Sequence, residues 1–297
     1  MGSVVRPFTV GATVRAAATR LAAAGVPEPR ADAEVLLAHV LGCERATLVV
    51  RAREALPPAA AGAFAALVAR RAQRVPVAYL TGTREFWSLP IAVDPRVLVP
   101  RPETELLVEA VCRVAPRTGR ILDAGTGSGA VAAALARELP AARVWASDRD
   151  AGALAVARTN LARHAPRVGL VCANWLAAFR AGAFDVVVAN PPYVSTAELA
   201  LLEPEVREHE PRAALDGGAD GLAAVRVLLA EAARVLVAGG WLVLEMGAGQ
   251  AERVLDGVAA VGQYDRTVVR ADGAGIARVL AARRVAEGGR RRTWTPS

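Results

Sequence analysis

Lysine is absent from this 297-residue chain, so all 36 of its strongly basic side chains are arginines. Genomic base composition accounts for that bias more readily than selection for guanidinium chemistry. The formal charge is nevertheless +7, and the isoelectric point near 10.4 favours an acidic partner, such as RNA or a polyanion-bound protein. Cysteine is scarce too. Cys43, Cys112 and Cys172 are an odd number, far apart and without a Cys-x-x-Cys pair, which argues for a reducing, cytoplasmic compartment and against zinc or any other structural metal. No apolar run approaches the roughly 18 residues that a spanning helix needs, and Met1 to Phe8 lacks the charge, apolar core and cleavage site of a signal peptide. Arg290-Arg291-Arg292 sits in a glycine-flanked stretch and reads as part of a solvated, disordered basic tail over 287–297.

Two motifs stand out against this background. Ile121-Leu122-Asp123-Ala124 runs into Gly125-Thr126-Gly127-Ser128-Gly129 and then a helical pattern from Val131 to Leu139. Glycines let the backbone approach a ligand closely and adopt positive φ. The turn alone also satisfies a dinucleotide-binding fingerprint. A second apolar stretch ends in Asp148, an acid suitably placed for a ribose diol in dehydrogenases and methyltransferases alike. The decision falls to the second motif, Asn190-Pro191-Pro192-Tyr193, directly after the apolar run 184–189. An Asn side chain carries one acceptor and two donors, and two prolines remove two backbone donors and leave carbonyls free to accept. Such a loop suits an NH2 group, with Tyr193 as a flat face for a planar amide or base. The plainer reading, a Pro-Pro chain break capped by Asn, explains the second motif but not its partnership with the first.

Along the chain, Thr9 caps a predicted helix through Ala24, a second spans Ala31 to Leu41, a third covers about 45–53 and a fourth runs from Pro58 to about Arg74. Together they predict a small helical bundle. Glu85 to Val99 reads as a hairpin turning at Ser88-Leu89-Pro90. Strands are then expected near 120–124, 143–147, 168–172, 184–189 and 241–246, alternating with helices, which implies a mostly parallel α/β sheet covered on both faces. Val194 to Glu210 is long, acidic and irregular, as a substrate-covering loop would be.

From about Ala31 to Arg284 the sequence resembles the protein-(glutamine-N5) methyltransferases that modify peptide chain release factors. Besides the two motifs, the likeness rests on Pro76 to Gly82, Arg84-Glu85-Phe86-Trp87, Val99-Pro100-Arg101-Pro102-Glu103-Thr104-Glu105, His209 to Leu215, and Gly239-Gly240-Trp241 leading into Glu245. Amino-methylating DNA enzymes share the Asn-Pro-Pro-Tyr loop but not the Glu-Phe-Trp and Pro-Arg-Pro-Glu-Thr-Glu segments in this order. An adenine or cytosine amino methyltransferase acting on DNA or RNA is therefore the second reading.

The resemblance implies a Rossmann-like class I S-adenosylmethionine-dependent methyltransferase fold, its seven-stranded sheet completed by an antiparallel pair near 264–270 and 276–284. It implies a helical, release-factor-binding domain over 1–82, a connector over 83–100 and a methyltransferase domain over 101–286. S-adenosylmethionine would be held by Asp123, Gly125, Thr126, Gly127, Ser128, Gly129 and Asp148, with Arg149, Asn174 and Trp175 about the adenine, and Phe86 and Asn190 nearby. Asn174 departs from the family, which commonly carries an acid there. The acceptor would be the glutamine of a release factor's Gly-Gly-Gln loop, gripped by Asn190, Pro191, Pro192 and Tyr193 and roofed by Arg101 and Glu103, in support of translation termination. Class I release factors are the implied partners, with no membrane, no stable nucleic-acid complex and a monomeric chain expected.

Overall fold

A computed structural model of the chain describes residues 9–286; the tail read at 287–297 lies outside the described residues. The chain divides into two compact units, Met1–Thr83 with Glu203–His209, and Arg84–Leu202 with Glu210–Ser297.

The first unit is helical: α1 (Val10–Ala23), α2 (Pro29–Leu41), α3 (Arg45–Val50), α4 (Pro58–Ala72) and α5 (Val77–Thr81). The Thr9 hydroxyl accepts from the Ala12 N–H at 3.3 Å and so caps α1, while Pro29 and Pro58 occupy first-turn positions where no backbone donor is needed. Leu21, Leu36, Leu37, Phe64 and Val68 form its core. Two helices end earlier than their patterns suggest. Arg74 takes φ +64°, which stops α4 at Ala72, and the chain turns after Val50. Arg71 is buried, and its guanidinium meets Asp32 and Glu205 at 2.7 Å each and the Val75 carbonyl at 3.3 Å. Arg74 pairs with Glu205 at 2.5 Å and with Glu203 at 3.1 Å. Burial pulls Glu205 upward, but the guanidinium groups of Arg74 and Arg71 outweigh it and hold its carboxyl below the usual range.

The second unit opens on the hairpin β1 (Thr83–Phe86) and β2 (Leu89–Ala92). Its turn is Trp87-Ser88 rather than Ser88-Leu89-Pro90, with both residues at positive φ, +52° and +56°, the twist that two-residue hairpins favour. There follow α6 (Glu105–Val114), β3 (Arg120–Ala124), α7 (Ala130–Glu138), β4 (Arg143–Asp148), α8 (Ala151–His164), β5 (Gly169–Cys172) and β6 (Phe184–Ala189). After α9 (Pro204–His209), which belongs to the first unit, come α10 (Ala223–Val235), β7 (Leu236–Glu245), α11 (Ala251–Val261), β8 (Tyr264–Ala271) and β9 (Ala277–Arg284). The stretch after β6 is thus less irregular than expected, carrying a 3-10 turn at Glu198–Leu201 as well as α9. β7 starts ahead of the predicted 241, because Gly239 at φ +78° bends the strand without ending it.

The strands lie in the order β5-β4-β3-β6-β7-β9-β8. All pairings from β5 to β7 are parallel, and β9 runs antiparallel to both β7 and β8. Leu122, Val187, Leu242 and Leu244 pack with Val225, Leu228 and Leu229 of α10 and Val254 and Val258 of α11. Ile121, Val186 and Val188 are buried as well, so β6 is apolar at every position but Asp185 and β3 is buried at every position but Arg120, as central parallel strands are. The strand order reverses between β3 and β6. In an open α/β sheet that switch point is where a crevice forms at the carboxyl ends of the strands.

Candidate active site

Both motifs meet at that crevice. After β3 the backbone turns through Gly125, Gly127 and Gly129 at φ +74°, +53° and +80°, conformations that side chains with a Cβ rarely adopt. The Gly125 and Thr126 N–H groups both donate to the Ser147 carbonyl, at 2.8 and 2.9 Å. A Cβ on Gly125 would come within 3.0 Å of the Trp175 ring, so the indole lies directly on the turn, and Trp175 itself is held at φ +47°. From α8 the buried Asn160 donates to the Ser128 carbonyl at 2.8 Å and exchanges hydrogen bonds with Ala92 of β2 at 2.7 and 2.9 Å. The hairpin and the glycine turn are tied together through this one side chain.

Two carboxylates flank the turn. Asp123 is 2% exposed, and its Oδ2 accepts from the Thr126 hydroxyl at 2.6 Å and from the Ala132 N–H of α7 at 3.1 Å. It therefore caps α7 and braces the turn at once. Burial outweighs these bonds, and with the nearby charge of Asp148 it raises the Asp123 carboxyl to about 7. Asp148 accepts from the Gly127 and Asp150 N–H groups at 3.0 Å each, one on each oxygen.

After β6, Asn190 donates through Nδ2 to the Thr104 hydroxyl at 3.2 Å. Tyr193 donates its hydroxyl to Glu245 Oε1 at 3.3 Å, and its carbonyl accepts from Gln250 at 2.8 Å. Burial and the Glu245 charge push the Tyr193 phenol up. A Cβ on Gly217 would lie 2.7 Å from the Pro192 carbonyl oxygen, and one on Gly221 would strike the Tyr193 carbonyl, so the glycine-rich stretch 217–221 packs directly on the back of the loop. Arg101 pairs with Glu210 at 2.5 Å, and Glu210 also accepts from the Val99 N–H at 3.2 Å. Burial raises Glu210 above the usual range, opposed by the Arg101 charge.

A cavity of about 880 Å³ opens between the two motifs, entirely within the second unit. Of the residues singled out from the sequence, Asp123, Gly125, Thr126, Gly127, Ser128, Asp148, Arg149, Asn174, Trp175, Asn190, Pro192 and Arg101 line it. Gly129 does not; it is the left-handed residue that starts α7. Phe86, 1% exposed, is packed in the hairpin, Pro191 is buried, and Glu103 is exposed. Tyr193 keeps to its partner Glu245 and is not part of the lining. Thr104, Thr196, Arg212 and Val227 also line it, and none of these was singled out for chemistry beforehand. Thr104 and Glu245 lay inside the segments that carried the family likeness, which was the one signal for them. Among the described residues, no group of three side chains could hold a metal ion, and no helix is long and apolar enough to cross a membrane.

Both parts of the chain have relatives among known proteins. A family profile described as the PrmC N-terminal domain matches residues 12–82, and one described as the methyltransferase small domain matches residues 102–204. The release factor glutamine methyltransferase of Geobacter sulfurreducens is 45% identical over 263 residues, covering 89% of this chain and 92% of its own length. That of Moorella thermoacetica is 48% identical over 272 residues, covering 90% and 96%. Among solved structures, a methyltransferase from Pyrococcus furiosus superposes with a TM-score of 0.52 at 20% identity, over 73% of this chain and 98% of that one, a likeness of fold. The chain belongs to the release factor glutamine methyltransferase family.

Proposed function

We propose that this protein transfers a methyl group from S-adenosylmethionine to the side-chain amide nitrogen, N5, of the glutamine in the Gly-Gly-Gln motif of class I peptide chain release factors, in the cytoplasm. The observation that carries the reading is the opening of the glycine turn after β3 and of Asn190 after β6 into a single cavity. Its residues suit the donor. A Cβ at Gly127 would meet nothing within 4 Å, so the turn presents bare backbone to the cavity. Asp148 has acceptor capacity to spare for a ribose diol, Asp123 is a buried acid without a cation of its own, suited to an ammonium group, and Trp175 offers an apolar face for adenine. Bound there, S-adenosylmethionine supplies a methyl group on a positively charged sulfur, an electrophile strong enough for a weakly nucleophilic nitrogen.

The contribution of the protein is placement. An amide lone pair is delocalised into its carbonyl, so the acceptor has to be held with both N–H bonds engaged. The Asn190 Oδ1 and a proline carbonyl accept from that NH2 group, and the fixed φ of Pro191 and Pro192 keeps the second acceptor stationary. Orientation of this kind is worth on the order of 7–11 kcal/mol in well-aligned reactions. No side-chain base is assigned, since the nitrogen becomes strongly acidic once methylated and water suffices. His164 lies 2.9 Å from the Pro90 carbonyl and His209 lies 3.1 Å from the Gln73 carbonyl, and neither lines the cavity.

Incubation with donor and purified release factors, followed by peptide mass mapping, is expected to place one added methyl group on the Gly-Gly-Gln glutamine. Methyl label recovered in DNA or RNA, with the release factors unmodified, would overturn the assignment.

A further inference from the structure

Pro100 and Arg101 precede α6, Pro211 and Arg212 follow α9, and all four line the cavity although neither stretch belongs to a strand. Glu210 joins the two. Its side chain is 1% exposed, and its Oε1 accepts from Arg101 Nη2 at 2.5 Å while its Oε2 accepts from the Val99 N–H at 3.2 Å. Both oxygens are thus spent on one short segment. From there the bonding runs on to the clamp, because the Arg101 carbonyl accepts from the Thr104 N–H at 3.1 Å and the Thr104 hydroxyl accepts from Asn190 Nδ2 at 3.2 Å. A carboxamide that spends its NH2 on Thr104 keeps its oxygen for the acceptor.

We propose that Glu210 is a positioning residue for methyl transfer: its grip on Val99 and Arg101 holds the turn at 102–104, whose Thr104 hydroxyl sets the Asn190 carboxamide. The proposal rests on the methyltransferase reading above and goes beyond it in naming what holds the clamp. A buried ion pair adds little net stability over apolar groups of the same shape, so the carboxylate has another use here. It supplies direction. Two charged acceptor oxygens at a fixed spacing serve a guanidinium and a backbone N–H together, and the bond to Val99 fixes main chain rather than a side chain that can swing. Glutamine has only one acceptor oxygen, so in its place it would satisfy Arg101 or Val99 and turn its NH2 against the other donor. Thr104 is 4% exposed, so a shift of this turn is passed to Asn190 and not absorbed by solvent.

The chain contains only three asparagines, Asn160, Asn174 and Asn190, so asparagine-selective 15N labelling reads the clamp directly. In E210Q the side-chain amide pair of Asn190 is expected to move from its wild-type position, while that of Asn160, held by Ser128 and Ala92, stays put. In parallel, kcat toward a release factor should fall about tenfold to a hundredfold with donor affinity by calorimetry unchanged. T104V, which removes the last link, should be slow as well. A role exerted through Thr104 makes the two losses overlap, so the double variant E210Q/T104V should be no slower than the slower single one. If E210Q does not fold, E210D replaces it in the same cycle, since it keeps the charge but is one methylene too short to reach both donors. An Asn190 signal unmoved by the substitution, a substituted enzyme as fast as wild type, or losses that multiply in the double variant would overturn the proposal. Failure of the functional reading would look different, as a wild-type protein inert toward release factors whose Asn190 signal still moves when Glu210 is replaced.

Discussion

The two units differ in how completely they compensate the acids they bury. In the helical unit Asp32 and Glu205 share the guanidinium of Arg71, and Glu205 takes that of Arg74 as well, so every desolvated carboxylate has a cation within hydrogen-bond reach. In the sheet unit Glu210 likewise meets Arg101, but Asp123 and Glu245, each 2% exposed, bond only to neutral hydroxyl and backbone groups. Both are raised, by burial first, to about 7 and about 6. A guanidinium fork can serve several acceptors at once, and the helical unit uses it to close its charge internally. The sheet unit leaves its charge open at a cavity wall and next to the clamp, which is the signature of a site that completes itself with a ligand.

The sharpest way to break this contrast is R71A. Removing one member of a buried ionic group strands the others, at a typical cost of about 3–5 kcal/mol, so the melting temperature should fall by many degrees. A variant that melts with wild type would show that the helical unit's acids are not internally compensated. On the proposed roles, N190A should slow methyl transfer on the order of 100-fold or more with donor binding unchanged by calorimetry. D148A should do the reverse, weakening donor binding roughly tenfold through the lost charged hydrogen bonds; equal losses of both properties in both variants would erase the division between donor and acceptor sides.

Asp123 offers a subtler test. Its folded value near 7 stands above the ordinary 3.8, so between those values the folded chain holds a proton that the unfolded chain has released. Stability from this group is therefore fully present below about pH 4 and lost as pH rises through 7. Both donors to Asp123 converge on one oxygen, so an asparagine can accept both. Without donor, D123N is expected to lose that pH dependence and to melt at or above wild type at pH 8. A steeper slope in the variant would mean that Asp123 is compensated after all. The smallest effect belongs to the exposed Asp220–Arg226 pair, where R226A should leave the melting curve unmoved, as solvent-screened pairs generally do.

Much of this was legible beforehand where short-range forces rule. β3 and β6 span the 120–124 and 184–189 expected of them, and the left-handed turns at Gly42 and Gly125 follow from residues that carry no Cβ. The hairpin turn was misplaced by one residue, because Trp87 and Ser88 take positive φ without being glycines. α5, only five residues long, has too few turns to show a period. Val194 to Glu210 looked irregular because Glu203–His209 owes its helix to the cations it meets in the first unit rather than to a pattern of its own.

Within the site, backbone φ, proline's missing donor and the run from strand into turn are settled by neighbours in the chain, so the sequence alone determined that a glycine turn and an Asn-Pro-Pro-Tyr loop each follow a strand. Which partners those motifs acquire was decided only by tertiary structure. Thr104 and Asn190 are 86 positions apart and Tyr193 and Glu245 are 52, separations across which no local pattern carries information. Desolvation depends on everything packed around a group at once, and that is why the raised carboxyls of Asp123 and Glu245 came into view only when the sheet was assembled.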